Sequence, residues 1–246
     1  MFKSSLINFL SKNQFTQINP KAILFDMDGV LFNSMPNHAI AWQKACKEKG
    51  LNISEEQVYM NEGRTGKSTI NMLYQKQLQR EASQQEINTI YQLKTEIFNS
   101  LPEAEAMPGA LELIIQIEAF GLTPMVVTGS GQKTLLERLN KSYPNVFDQN
   151  HIVSAYDVKY GKPHPEPYLK ALDKIQLKPN EAIVVENAPL GVQSAVAATI
   201  FTVALNTGPL KDTVLLDQGA DLLFKSMEEF NKEWKTLYQA CIESLR

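Results

Sequence analysis

Apolar residues along the chain gather in runs that are continuous rather than alternating: Ala22-Ile-Leu-Phe25, Met125-Val-Val127, Ile183-Val-Val185 and Phe201-Thr-Val-Ala-Leu205. Short unbroken runs of this kind predict strands buried on both faces, the pattern of a parallel sheet. Ala220-Asp-Leu-Leu-Phe224 is a shorter candidate of the same kind. Helical patterns fill the intervals. Pro108 opens a helix around ALELIIQIEAF and Gly121 closes it, and another helix begins near Gly191 in GVQSAVAA. Strand and helix in alternation predict an α/β fold: an open parallel sheet with right-handed βαβ connections, covered on both faces.

One interval breaks that rhythm. From about residue 34 to about residue 105 the chain carries helical patterns and no convincing strand. Ser54-Glu-Glu-Gln57 and Ser83-Gln-Gln-Glu86 both read as capping boxes, placing helix starts at the two serines. The long stretch EINTIYQLKTEIFNSL follows the second. The expected organisation is an α/β core over 20–33 and 106–246, with an all-helical unit over 34–105 inserted after the first strand. Residues 1–19 are expected to form a weakly ordered or short helical extension.

Composition narrows the function without choosing it. The chain has 246 residues, 43% hydrophobic and 21% charged, ordinary values for a water-soluble globular protein. A net charge of −3 argues against nucleic acid as the main partner, because neutralising phosphates needs a surplus of Lys and Arg. Small phosphorylated ligands remain open, since a few placed cations suffice. No run of 18 apolar residues is present, so no membrane span is expected. The two cysteines, Cys46 and Cys241, lie far apart without metal-ligand spacing and read as buried, reduced thiols, which fits the cytoplasm.

The strongest chemical signal is FDMDGVLFNS, in which Asp26 and Asp28 alternate at the carboxyl end of a buried strand before Gly29 turns the chain. Two carboxylates at a ligand-binding sheet edge are costly to keep without a cation. A calcium loop is excluded, because it would need its glycine at the sixth position. Thr128, Gly129 and Ser130, in VVTGSG131, offer hydroxyls and amides for a phosphate before a helix start. The same stretch fails as a dinucleotide turn, since Thr134 stands where GxGxxG needs its third glycine. Lys162 sits in the proline-stiffened GKPHPEP, and Glu186 and Asn187 end the next predicted strand as candidate metal-shell oxygens. NEGRTGKST, residues 61–69, imitates a P-loop but has Asn61 in place of the first glycine and no strand before it.

In combination, Asp26-x-Asp28, Thr128/Ser130, Lys162 and Glu186-Asn187 resemble the four motifs of the haloacid dehalogenase superfamily. The DGVLFNS and KPxPxPY contexts resemble its β-phosphoglucomutase-like branch. That resemblance implies a Rossmann-like core with a helical cap after the first strand, and phosphoryl transfer with Mg²⁺. Asp26 would form an aspartyl-phosphate, and Asp28 would act as general acid and then general base. Mg²⁺ would bind Asp26, the backbone carbonyl of Asp28 and position 187, with Glu186 in the shell. Thr128, Gly129, Ser130 and Lys162 would hold the phosphoryl oxygens.

The family pattern has Glu-Asp where this chain has Glu186-Asn187, so one negative charge is missing. Family caps send a specificity loop into the site, and here that loop is NEGRTGKST. The expectation is that Glu62 restores the missing carboxylate at the metal, while Arg64 and Lys67 bind a second phosphate. GRTGKSTIN, TPMVVTGSGQ and VVENAPLGV are similar to members of this branch that are inorganic pyrophosphatases, which puts pyrophosphate first as substrate. Weak cleavage of small sugar phosphates is expected beside it. The alternatives are β-phosphoglucomutase activity, supported by His38, which resembles a mutase hinge histidine, and a general sugar-phosphate phosphatase. Trp42 and Phe32 are expected at the hinge, and Lys94 on the surface. A monomer is expected, with no role for His151 or His164.

Overall fold

In the computed structural model, which describes residues 2–130 and 135–243, the apolar runs pair side by side. Helix α1 (Phe2–Asn13) leads into β1 (Ala22–Phe25). Then come α2 (Met35–Glu48), α3 (Glu55–Met60), α4 (Gly66–Leu78) and α5 (Gln84–Ser100). The remaining order is α6 (Ala110–Ala119), β2 (Thr123–Val127), α7 (Leu135–Ser142), β3 (Ile152–Val153), α8 (Glu166–Lys174) and β4 (Ala182–Glu186). It closes with α9 (Pro189–Ala197), β5 (Phe201–Leu205), α10 (Asp212–Leu216), β6 (Leu222–Phe224) and α11 (Met227–Glu243).

The sheet has the order β3-β2-β1-β4-β5-β6, with every pairing parallel. Successive side chains of a strand point to opposite faces, and β1 uses both. Ile23 and Phe25 pack with α1, α6 and α11, while Ala22 and Leu24 pack with α8 and α9. All four are fully buried, which is why the run carries no polar alternation. The unforeseen strand is β3. It contributes only Ile152 and Val153 at the sheet edge, too few residues to form a pattern.

The start of the chain takes the helical of the two forms expected, but it is packed into the core rather than extending from it. Phe2, Leu6 and Phe9 are buried at i, i+4 and i+7, one face of α1. Phe9 meets Phe201 edge-on at 5.3 Å, and Phe2 lies 6.3 Å from Phe224. The segment is a docked core helix.

Helices α2 to α5 bury a hydrophobic cluster of their own, including Trp42, Cys46, Ile70, Leu73, Ile87 and Ile90. The two capping boxes form at Ser54 and Ser83, with Gln57 and Glu86 completing them. Two strands of chain join this unit to the core and run together. Asn33 N donates to Glu105 O, Met107 N donates to Leu31 O, and Phe32 bridges Ala106 between them. Phe32 therefore sits at the hinge as expected. Trp42 instead lies inside the helical unit and faces the cleft. Cys46 and Cys241 are both buried, in separate clusters.

Candidate active site

Chain connections leave β1 toward β2 and leave β4 toward β5, in opposite directions along the sheet. Such a switch point opens a crevice beyond the carboxyl ends of the two strands. Asp26 follows β1 and Asn187 follows β4, so both stand at that crevice.

Beneath them lies a fully paired cation. Lys162 Nζ donates to Asp26 Oδ1 at 2.5 Å, Glu186 Oε1 at 2.6 Å and Val127 O at 3.0 Å. Glu186 Oε1 also accepts from Tyr168 OH at 2.8 Å, and Oε2 accepts from the amides of Asn187 and Ala188. Glu186, expected among the metal oxygens, thus commits both oxygens to protein donors. Its packing is close: a Cβ on Gly191 would fall 1.8 Å from Oε1. Burial pushes the Asp26 carboxyl up to about 7, with Lys162 pulling it down and Glu186 and Asp28 adding to the rise. Carboxylates gathered this way favour a cation among them.

Asp28 faces the helical unit. Ser34 Oγ donates to Asp28 Oδ1 at 2.5 Å, and His38 Nε2 stands 3.4 Å from the same oxygen. Lys94 Nζ donates to His38 Nδ1 at 3.0 Å, which leaves the ring proton on Nε2, directed at Asp28. Burial opposes ionisation of Asp28, but His38 and Ser34 outweigh it and hold the carboxyl well below its usual range. Burial lowers His38, against the pull of Asp28, and pushes Lys94 down to about 8. Lys94, expected on the surface, is only 6% exposed. Its Nζ lies over the Phe98 ring of α5 and the Trp42 ring of α2, 4.8 Å and 5.7 Å from their centroids, and the two rings shield it from water.

The loop between α3 and α4 rests on the core edge. Gly63, at φ +85°, lies so close that a Cβ there would come within 3.2 Å of Lys162 Cβ. Glu62 is carried inward beside it, and Asn187 Nδ2 donates to Glu62 Oε2 at 3.1 Å. The reverse amide orientation would set two oxygens against each other, so Oδ1 is the atom left over. Asn187 Oδ1 and Glu62 Oε1 are both buried with no hydrogen-bond donor. Burial pushes the Glu62 carboxyl well above its usual range, with Asp26, Asp28 and Glu186 adding to the rise. Gly29, at φ +88°, permits this approach, since a Cβ there would meet Asn187 Nδ2 at 2.1 Å. Among the described residues no three His, Cys, Asp or Glu side chains form a metal cluster, so any cation would need a mixed donor set. Two stranded oxygens amid acidic groups fit a hard divalent cation.

Thr128, Gly129 and Ser130 line the cleft, with Ser130 N donating to Thr128 Oγ1 at 3.0 Å. Gly131 and Thr134 lie outside the described residues. Arg64 lines the cleft but donates to Asn61 Oδ1 and Ser68 Oγ. Lys67 does not reach it: the side chain is exposed in the first turn of α4. Asn61 caps the end of α3 rather than opening a phosphate loop. Sequence reasoning missed Arg138, on α7, which also lines the cleft. A single arginine in an otherwise plain helix gives no pattern to read.

Comparison with known proteins agrees with this geometry. The sequence signature described as haloacid dehalogenase-like hydrolase matches residues 23–205. Hexitol phosphatase A of Escherichia coli strain K12 is 31% identical over 214 residues, 85% of this chain and 92% of that protein. A phosphorylated carbohydrates phosphatase of Thermotoga maritima is 27% identical, over 86% of this chain and 97% of its own. Among solved structures, a Bacteroides vulgatus protein provisionally described as a beta-phosphoglucomutase is 58% identical. It superposes with a TM-score of 0.95 over 98% of both chains.

Proposed function

From the premise that this chain belongs to the haloacid dehalogenase-like hydrolases and is a phosphoryl-transfer enzyme, we propose that it is a Mg²⁺-dependent phosphohydrolase acting on inorganic pyrophosphate. The observation that carries this reading is the pair of stranded oxygens, Asn187 Oδ1 and Glu62 Oε1, across one hydrogen bond. Mg²⁺ would be held by Asp26, the Asp28 carbonyl, Asn187 and Glu62, and when bound would supply charge neutralisation for the phosphoryl oxygens.

The protein groups do the rest. An Asp26 carboxylate oxygen attacks phosphorus as the bond to the leaving oxygen breaks. The leaving phosphate takes that electron pair and a proton from Asp28, which is ionised in the free enzyme and would first take that proton from the bound protonated pyrophosphate. Water then attacks the aspartyl-phosphate, Asp28 takes its proton, and the Asp26 carboxylate departs with the bonding pair. The sum is pyrophosphate and water to two phosphates. The Ser34 and His38 contacts aim Asp28 and set its proton affinity. Thr128 Oγ1 and the amide of Gly129 hold the transferred group, where positioning and charge supply most of the catalysis. The Ser130 amide, expected to join them, is spent on Thr128, and Lys162, whose three donors go to Asp26, Glu186 and Val127, contributes charge from beneath. The loop carrying Glu62 and Gly63 excludes water.

Pyrophosphate is favoured because the Glu62 carboxylate occupies space a sugar ring would need and leaves a cleft rimmed by Lys94, Arg64 and Arg138. The relatives named for sugar phosphates support weaker cleavage of such esters. β-Phosphoglucomutase activity is the second reading, favoured by His38 beside Asp28 and by the provisional description of the Bacteroides vulgatus protein. The test is phosphate release with Mg²⁺ on pyrophosphate and on a panel of hexose and pentose phosphates, with glucose 6-phosphate formation from β-glucose 1-phosphate alongside. The highest kcat/KM on pyrophosphate is expected. Preferential glucose 6-phosphate formation from the β-anomer would contradict it.

A further inference from the structure

Three cationic side chains line the cleft among the described residues: Arg64, Lys94 and Arg138. Two of them are engaged. Arg64 is tied to Asn61 and Ser68, and Lys94 to His38. Arg138 differs: its Nε and Nη2 are buried with no hydrogen-bond partner. A buried guanidinium left without acceptors is costly, and such groups are normally paired.

Its position is fixed without its donors being used. The guanidinium carbon lies 4.1 Å from the centroid of the Phe32 ring. Phe32 is itself fully buried at the hinge and packs edge-on against Tyr143. The planar fork is therefore pre-oriented, the condition under which arginine recognises phosphate or carboxylate through two parallel hydrogen bonds.

We propose that Arg138 binds an anionic group on the leaving side of the substrate and selects two-anion substrates over monoesters of neutral alcohols. The inference rests on the phosphohydrolase reading above. In that reading Asp28 protonates the leaving oxygen, and Phe32, on which Arg138 stacks, pairs through its backbone with Asp28, which puts the guanidinium on that side of the cleft. Arg138 and Phe98 also border an adjoining groove of about 500 Å³ between α5 and α7. The guanidinium thus stands where the outer end of a leaving group would extend. Diphosphates and sugar bisphosphates carry a second anion there; p-nitrophenyl phosphate does not.

The experiment compares wild type with Arg138→Met, which keeps an apolar stem on Phe32, and Arg138→Lys, which keeps charge without the fork. Each is assayed on pyrophosphate, a sugar bisphosphate and p-nitrophenyl phosphate, and titrated with non-hydrolysable methylenediphosphonate by calorimetry. For Arg138→Met, kcat/KM on two-anion substrates is expected to fall about 10- to 100-fold, and methylenediphosphonate affinity with it. The loss on p-nitrophenyl phosphate, which offers no second anion, should be at least about threefold smaller than the loss on two-anion substrates, with Arg138→Lys intermediate. Equal losses on all substrates, or no loss, would overturn the proposal. A wild type preferring a sugar bisphosphate, with that preference lost in Arg138→Met, retires pyrophosphate and keeps Arg138. A pyrophosphate preference surviving in Arg138→Met does the opposite.

Discussion

The two sides of the cleft both bury charge but treat it differently. On the core side, Lys162, Asp26, Glu186 and Tyr168 form a closed set in which Lys162 and Glu186 are satisfied by protein partners. On the side facing the helical unit, Glu62 Oε1 and two nitrogens of Arg138 are buried with none. A closed set supports the fold as well as the chemistry. An open set costs stability until something binds, which is how a cleft stores selectivity for an ion and an anion. The rigid half is built on strand ends, and the ligand-dependent half on the approaching loop, α7 and the one strand-end residue that meets the loop, Asn187, whose Oδ1 is also unsatisfied.

Substitutions should separate the two halves. The largest effect is expected on the core side. Asp26→Ala should reduce phosphate release by about 10⁴-fold or more, because the nucleophile is gone. Lys162→Met should also be destabilised by about 3–5 kcal/mol in urea unfolding, since it strands two buried carboxylates. Glu62→Gln should lose about 100-fold in activity, within the range seen when one charge-stabilising group is removed. Without Mg²⁺, however, its stability should equal or exceed that of wild type, because a buried carboxyl with one unsatisfied oxygen, set among other acidic groups, has been removed. A large loss of stability there would erase the contrast.

Two smaller effects sharpen it. Lys94 has its pKa lowered to about 8 by burial. Between that value and its unfolded value near 10.5 the unfolded chain binds more protons, so stability rises with pH across the window. Wild type should therefore gain about 2–3 kcal/mol on Lys94→Met between pH 8 and pH 10.5, read from urea midpoints. Gly63→Ala should raise KM several-fold with little change in kcat. It places a side chain at φ +85° against Lys162 and makes loop closure about 1 kcal/mol harder.

Much of this was legible before any coordinates. β1 and β5 were readable to the residue, because both are unbroken apolar runs. That Asp26, Asp28 and Asn187 would share one edge was readable because strand ends in an open sheet gather there, and Lys162 reaches Asp26 from the loop after β3. Some missed features had signals. Phe2, Leu6 and Phe9 already show helical spacing, and Lys94 follows Ile87 and Ile90 on the same face of α5. Others had none. Lys67 and Arg64 look alike in a sequence, and only the turn of α4 decides which one meets the cleft. Glu186 and Asn187 are neighbours, and only backbone amides show which of them has oxygens to spare.

The central claim is that Glu62 supplies the carboxylate the core lacks at Asn187. Mg²⁺ binding measured by calorimetry in wild type, Glu62→Gln, Asn187→Asp and the double variant tests it most directly. Glu62→Gln is expected to weaken binding by at least about tenfold, and Asn187→Asp to recover most of that loss in the double variant. Equal Mg²⁺ affinity in wild type and Glu62→Gln would contradict it.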